Sequence, residues 1–193
     1  EVNQPVFGGI ITQDFNGDLL PDLLLINQSN NQRVRLYLNL GFGQFIPSWT
    51  MEESGPAFQD ARVGDLDDDG DLDLVLASIE NTPISFYLND GTGRFTPFSG
   101  ATGQGAIRAQ HIELGDVNGD GSPDLLVARS STSSSQYGER VYLNQGDATF
   151  ILHWEINKRQ EIHRVRVRDL DLDGDLDYVL IRDGSLAASY LNQ

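Results

Sequence analysis

The chain carries one nine-residue acidic cassette four times: DFNGDLLPD from Asp14, DLDDDGDLD from Asp65, DVNGDGSPD from Asp116 and DLDLDGDLD from Asp169. The first aspartates stand 51, 51 and 53 residues apart, so the 193 residues read as four copies of a unit of about fifty. A second landmark keeps step with them: Tyr37-Leu38-Asn39, Tyr87-Leu88-Asn89, Tyr142-Leu143-Asn144 and Tyr190-Leu191-Asn192. In the first three units a turn and an aromatic follow, as NLGFGQF, NDGTGRF and NQGDATF.

Each unit reads as β-strands. Val165 and Val167 alternate with Arg164, Arg166 and Arg168 ahead of the last cassette, the period of a half-buried strand. Dense apolar runs follow the cassettes at Leu23–Ile26, Leu74–Ala77, Leu125–Ala128 and Tyr178–Ile181, suited to strands covered on both faces. The Tyr-Leu-Asn segment supplies a third strand, and the turn with its Phe begins a fourth. Four antiparallel strands per unit of this length fit the blade of a β-propeller, and no 3.6-residue periodicity supports a helical solenoid. The expected fold is therefore all-β, one propeller or propeller segment over 1–193, with blades at approximately 1–50, 51–100, 101–156 and 157–193.

The cassette has the chemistry of a cation cage. Calcium takes six to eight oxygens in flexible geometry, and a tight loop aims alternate side chains inward, whereas magnesium demands a stricter octahedron. The expected ligands are Asp14, Asn16, Asp18, Leu20 and Asp22; Asp65, Asp67, Asp69, Asp71 and Asp73; Asp116, Asn118, Asp120, Ser122 and Asp124; and Asp169, Asp171, Asp173, Asp175 and Asp177. The seventh position varies as Leu20, Asp71, Ser122 and Asp175, as a backbone-carbonyl ligand permits. An EF-hand shares this opening but needs a Glu at position 12, where this chain has Leu25, Leu76, Val127 and Leu180. Up to four calcium ions are expected, with the first site weakest, because Leu19 stands where the other cassettes have Gly70, Gly121 and Gly174. With a Kd on the order of 10 µM and calcium on the order of 1 mM, linkage would contribute about 2.7 kcal/mol per site, a mainly structural role.

The charge follows the cassettes. The net charge is −16, from 29 Asp+Glu against 13 Lys+Arg, and the cassettes hold 17 of the acids. The remaining 12 acids nearly balance the bases, so the chain is a roughly neutral domain with acidic loops. That balance argues against nucleic acid or an anionic membrane as partner. There is no cysteine, which excludes disulfides and Cys-based zinc sites. No run of 18 apolar residues exists to insert into a membrane, and the start at Glu1 reads as a mature or excised segment.

The four cassettes and the Tyr-Leu-Asn-x-Gly-x-Gly-x-Phe pattern, seen in YLNDGTGRF from Tyr87, resemble the FG-GAP/VCBS repeats of integrin-like β-propellers over nearly the whole chain. The resemblance implies calcium loops joining the first and second strands of each blade. It also implies secreted, periplasmic or cell-surface placement and adhesion to, or recognition of, a glycan or protein ligand. Related propellers include lectins and the catalytic domains of some polysaccharide lyases. Unit four stops at Gln193, directly after its third strand, and Glu1 aligns with Glu52, so neither end supplies the missing strand. The ring is then part of a larger propeller, is completed by further blades or another chain, or closes with four blades.

Other features have both structural and functional readings. Trp49 and Trp154 each follow a turn Phe by four residues, which in a regular strand places Trp and Phe on one face, for core packing or as a sugar platform. Gly9, Asp60, His111 and Arg164, with Ile11, Arg62, Glu113 and Arg166, fall where innermost strands would line a channel. The Ser-rich insertion from Ser130 is a flexible connection or a contact loop. No His cluster, nucleophile elbow, phosphate loop or zinc motif is present, so a non-catalytic recognition module is expected, with a lyase fragment as the alternative.

Overall fold

A computed structural model describes residues 7–27, 34–52, 57–78, 82–99, 101, 109, 111–129, 138–156, 162–174, 176–182 and 185–190. These residues form only strands, turns and irregular segments, and no helix among them is long and apolar enough to cross a membrane. The first sheet comprises β1 (Phe7–Gln13), β2 (Asp22–Asn27), β3 (Arg35–Asn39) and β4 (Phe45–Thr50). The second comprises β5 (Phe58–Gly64), β6 (Asp73–Ser78), β7 (Ser85–Asn89) and β8 (Phe95–Phe98). The third comprises β9 (His111–Gly115), β10 (Asp124–Arg129), β11 (Gly138–Asn144) and β12 (Phe150–Ile156). The last has three strands among the described residues, β13 (Ile162–Arg168), β14 (Asp177–Arg182) and β15 (Ser185–Tyr190). Every sheet is an open antiparallel meander in chain order, so all strand pairing is local.

Register explains where the cassettes lie. Gln13 pairs with Asp22, Gly64 with Asp73, Gly115 with Asp124 and Arg168 with Asp177. Each cassette is thus the hairpin loop between the first two strands of its sheet, and its last aspartate is the first residue of the second strand.

No sheet holds a core of its own. One apolar cluster joins Leu24, Ile26 and Leu36 of the first sheet to Phe58, Leu74, Leu76 and Phe95 of the second. The next joins Val75, Ala77 and Phe86 to Ile112, Leu125, Val127 and Phe150, and a third joins Leu126, Ala128 and Val141 to Val165 and Val167. Sheets two and three are consequently covered on both faces, and β6 is buried throughout. In β2 burial alternates, with Leu24 and Ile26 buried and Leu23 and Leu25 only half so, because among the described residues no sheet packs on the other face of the first sheet. Contacts between sheets are carried mainly by the first strands: β1 lies beside β5, β5 beside β9, and β9 beside β13.

The tryptophans depart from the regular-strand expectation. Asn39 pairs with Phe45 and Tyr37 with Pro47, but Leu36 pairs with Trp49, so Ser48 is an extra residue in a β-bulge. His153 is extra in the same way, between the Tyr142–Leu152 and Val141–Trp154 pairs. One inserted residue reverses side-chain parity, which puts each Trp on the face opposite its turn Phe. Trp49 therefore points to the second sheet and packs edge-on against Tyr87 and Phe95, at ring-centroid distances of 5.7 and 5.1 Å. The core-packing reading is the one realised at this residue.

Candidate metal centres

Each loop winds around its first aspartate. Asp14 Oδ1 accepts the N–H groups of Asn16, Gly17 and Asp18, and its Oδ2 accepts that of Leu19 at 2.7 Å. In every loop the same Oδ2 receives the N–H of the sixth residue, from Leu19, Gly70, Gly121 and Gly174. Desolvation alone would raise the Asp14 carboxyl, but the four backbone donors together outweigh it and hold it below the usual range. The fifth residue then accepts the N–H of the seventh, as in Asp71 to Asp69 at 2.9 Å and Ser122 to Asp120 at 3.0 Å.

The ninth aspartate fastens the loop to the sheet. Asp22, Asp73, Asp124 and Asp177 are fully buried. Their Oδ2 atoms accept the N–H of Phe15, Leu66, Val117 and Leu170 at 2.8–2.9 Å. In the first three sheets Oδ1 accepts the N–H of Asn39, Asn89 or Asn144. Burial pushes Asp73 up to about 6, against the pull of those two N–H groups, and Asp124 shifts upward for the same reason.

The third position divides the loops into two kinds. Asn16 and Asn118 donate through Nδ2 to Asp18 and Asp120, at 3.0 and 2.8 Å, so an amide neutralises part of the carboxylate crowding. Asp67 and Asp171 cannot donate when ionised. Ligand atoms of Asp65, Asp67 and Asp73, and likewise of Asp169, Asp171 and Asp177, lie within 4.8 Å of one another. Burial, then the charges of Asp69 and Asp65, raise the Asp67 carboxyl. Its Oδ1 is buried and makes no hydrogen bond, which places an unsatisfied anionic oxygen inside an all-oxygen donor set. That donor set fits a hard divalent cation, with Asp65, Asp67, Asp69 and Asp73 to hold it and the Asp71 carbonyl as a further oxygen. Asp175 lies outside the described residues.

Backbone strain is shared more widely than the Leu19 departure suggests. Leu19 is left-handed as expected, with φ 67°, but the fourth position is left-handed too: Gly17, Asp68, Gly119 and Leu172 have φ 74°, 58°, 77° and 64°. Loops one and four therefore each carry one leucine in this region and loop three has glycine at both positions, so the first loop is not singled out by strain.

The Tyr-Leu-Asn landmark acquires a physical reason here. Beyond its backbone bond to the ninth aspartate, Asn89 donates through Nδ2 to Phe15 O of the preceding sheet at 2.9 Å, and Asn144 does so to Leu66 O at 2.9 Å. Ala148, in left-handed geometry at φ 59°, adds its own N–H to Leu66 O at 2.8 Å. Sequence reading sees the asparagine as a marker and misses its part in fastening one sheet to the loop of the preceding sheet.

The polar positions of the first strands are brought together across sheets. Arg62 spans Asp60 at 2.5 Å and Glu113 at 3.1 Å, and Arg166 reaches the same Glu113 oxygen at 2.6 Å. His111 Nδ1 stands 3.6 Å from Asp60, whose carboxylate also accepts the N–H of Ile112. Desolvation opposes the charge on Asp60, but His111 and Arg62 outweigh it and lower its pKa. Gly9 has no side chain to add and Ile11 packs in the first core; the side chains of His163 and Arg164 and the insertion at 130–137 lie outside the described residues.

A family model described as an FG-GAP-like repeat matches residues 14–76 and 65–127, more than half of the chain, beginning each time at the first aspartate of a cassette. The chain belongs to the FG-GAP-like repeat family. Among curated proteins it is similar to the T-cell immunomodulatory proteins of Rattus norvegicus and Mus musculus, at 25% and 26% identity. Both alignments cover 90% of this chain but 34% of the relative, so the chain spans about a third of the length of the proteins it matches.

Proposed function

We propose that the chain is a calcium-stabilised β-propeller module, or a segment of one, that works outside the cell in adhesion or in recognition of a glycan or protein, without catalysis. The observation that carries the calcium reading is the buried Asp67 Oδ1, which has no hydrogen-bond donor and sits among the carboxylates of Asp65, Asp69 and Asp73. A divalent cation supplies the missing charge, and extracellular calcium, on the order of 1 mM, would fill sites of the expected affinity. All twenty residues named from the sequence are proposed to form these sites, Leu20, Asp71, Ser122 and Asp175 through their carbonyls.

The blade reading is supported by the four-stranded meanders, the cores between sheets and the first strands lying side by side. A further blade, from a longer chain or a second copy, fits the outer face of the first sheet. There Ile10 and Phe45 are 60% and 39% exposed, whereas their register equivalents Ala61 and Phe95 are buried under the first sheet. The non-catalytic reading is supported by Arg62 and Arg166, two of the four first-strand arginines that would suit a lyase of acidic sugars, which are engaged with Asp60 and Glu113. The relatives' name, for T-cell immunomodulation, agrees with a protein that meets its partners outside the cell.

Thermal unfolding in 1 mM calcium and in chelator tests the metal; an unchanged midpoint would sink it. Screening glycans and polysaccharides for binding and for unsaturated products tests the rest, and product formation would overturn the non-catalytic assignment.

A further inference from the structure

We propose that Asp68 and Ser122 join the second and third loops into one cooperative pair of cation sites, through a side-chain bridge that the first and fourth loops lack. The proposal rests on the calcium reading above and concerns the residues between the sites. Ser122 Oγ donates to Asp68 Oδ2 at 2.9 Å, a hydrogen bond between two loops 54 residues apart in sequence. The carboxylate is fenced in on another side by the β11–β12 turn, where a Cβ added at Gly146 would stand 2.7 Å from the same oxygen.

Both ends of this bond are embedded in the donor sets. Asp68 lies between Asp67 and Asp69 and is held left-handed at φ 58°, a conformation that Asp tolerates better than most residues. Ser122 donates its N–H to Asp120 Oδ1 and carries the seventh-position carbonyl of the third loop. A cation that orders loop two fixes Asp68, and loop three then closes against an acceptor already in place, with less conformational entropy left to lose. Linkage makes the effect reciprocal.

The sequence confines this side-chain bridge to this pair. The corresponding fourth and seventh positions are Gly17 with Asp71 between loops one and two, and Gly119 with Asp175 between loops three and four. Glycine has no side chain to reach across, so the bond can form only from Asp68.

Amide NMR during a calcium titration of the whole chain separates the sites, because the Gly70 and Gly121 N–H groups each donate to the first aspartate of their own loop. Asp65→Ala, which disables loop two, is expected to raise the calcium midpoint at Gly121 by about five- to tenfold. It should leave Gly174 of loop four unmoved, and Asp116→Ala should act reciprocally on Gly70. In a Ser122→Ala background Asp65→Ala should no longer move Gly121, whereas Ser122→Thr should keep the effect. Asp68→Gly, which relieves left-handed strain and so favours the fold, should abolish it as well. Coupling that persists in Ser122→Ala and Asp68→Gly, or is absent from the wild type, would overturn the proposal while leaving the calcium reading intact. Amides that ignore calcium altogether would overturn both.

Discussion

Three of the four asparagines at one motif position, those among the described residues, allow the link between sheets to be weighed within a single protein. Replacing Asn89 by Ala leaves its backbone N–H on Asp73 and removes only the side-chain bonds, to Phe15 O at 2.9 Å across the sheet interface and to Leu72 O at 3.2 Å. Two net hydrogen bonds are worth about 1 kcal/mol each, and a buried carbonyl stripped of a donor adds about 1–3 kcal/mol, so the expected loss is about 3–5 kcal/mol. Asn144→Ala loses its bonds to Leu66 O, Pro123 O and the Gly146 N–H but strands no acceptor at the interface, because Leu66 O keeps the Ala148 N–H, so it should cost about 3 kcal/mol. Asn39 donates within its own sheet, to Pro21 O at an exposed edge, and accepts from Gly41, so Asn39→Ala should cost about 1 kcal/mol. Urea unfolding in saturating calcium, which holds metal linkage constant, measures all three as shifts in midpoint at unchanged slope. Equal losses at Asn39 and Asn89, within about 0.5 kcal/mol, would refute the claim that the cross-sheet bond carries the difference.

Leu19→Gly and Leu172→Gly should each stabilise, by up to about 1 kcal/mol, because both side chains are nearly fully exposed and the relief of left-handed strain exceeds the entropy cost of glycine; denaturant midpoints check this. Gly121→Ala, at φ 99°, should destabilise by about 1 kcal/mol or more in the same assay. Trp49→Ala should cost at most about 3–5 kcal/mol, since the half-buried ring packs edge-on against Tyr87 and Phe95 of the next sheet. Asp60, lowered from 3.8 in the folded state, stabilises above its unfolded pKa and loses that contribution as pH falls through its folded value. The stability gap between wild type and Asp60→Asn should therefore be constant above about pH 5 and close below about pH 4 in acid unfolding curves.

Much of the architecture was legible because it is written in local periodicity. The alternation around Val165 and Val167 and the apolar run Leu74–Ala77 are the strands β13 and β6, and each cassette is the hairpin loop between such strands. The bulges at Ser48 and His153 were not legible, since an extra residue in a strand leaves the composition of the segment unchanged and only the cross-strand register reveals it. Left-handed geometry at the fourth cassette position was likewise hidden, because Asp68 and Leu172 occupy it beside Gly17 and Gly119. The polar set on the first strands could be placed at one edge from spacing. Its pairing could not, because Glu113 accepts from Arg62 and Arg166 of two different neighbouring sheets.

The loops reach further than their own hairpins. The carbonyl at the second cassette position, Phe15 O or Leu66 O, is the acceptor for the asparagine of the following sheet, while the N–H of the same residue is held by the ninth aspartate. A cation bound by the aspartates, as proposed above, would therefore also fix the acceptor on which the next sheet is fastened. Removing it leaves crowded carboxylates, such as Asp65, Asp67 and Asp69, repelling one another where that acceptor is held. The first consequence should be loosening between sheets, because the ladder bonds within each sheet do not pass through the loop. On this reasoning the acidity of the chain, concentrated in its loops, serves cohesion between sheets, and the recognition proposed above would fall to surfaces that the fastened sheets present.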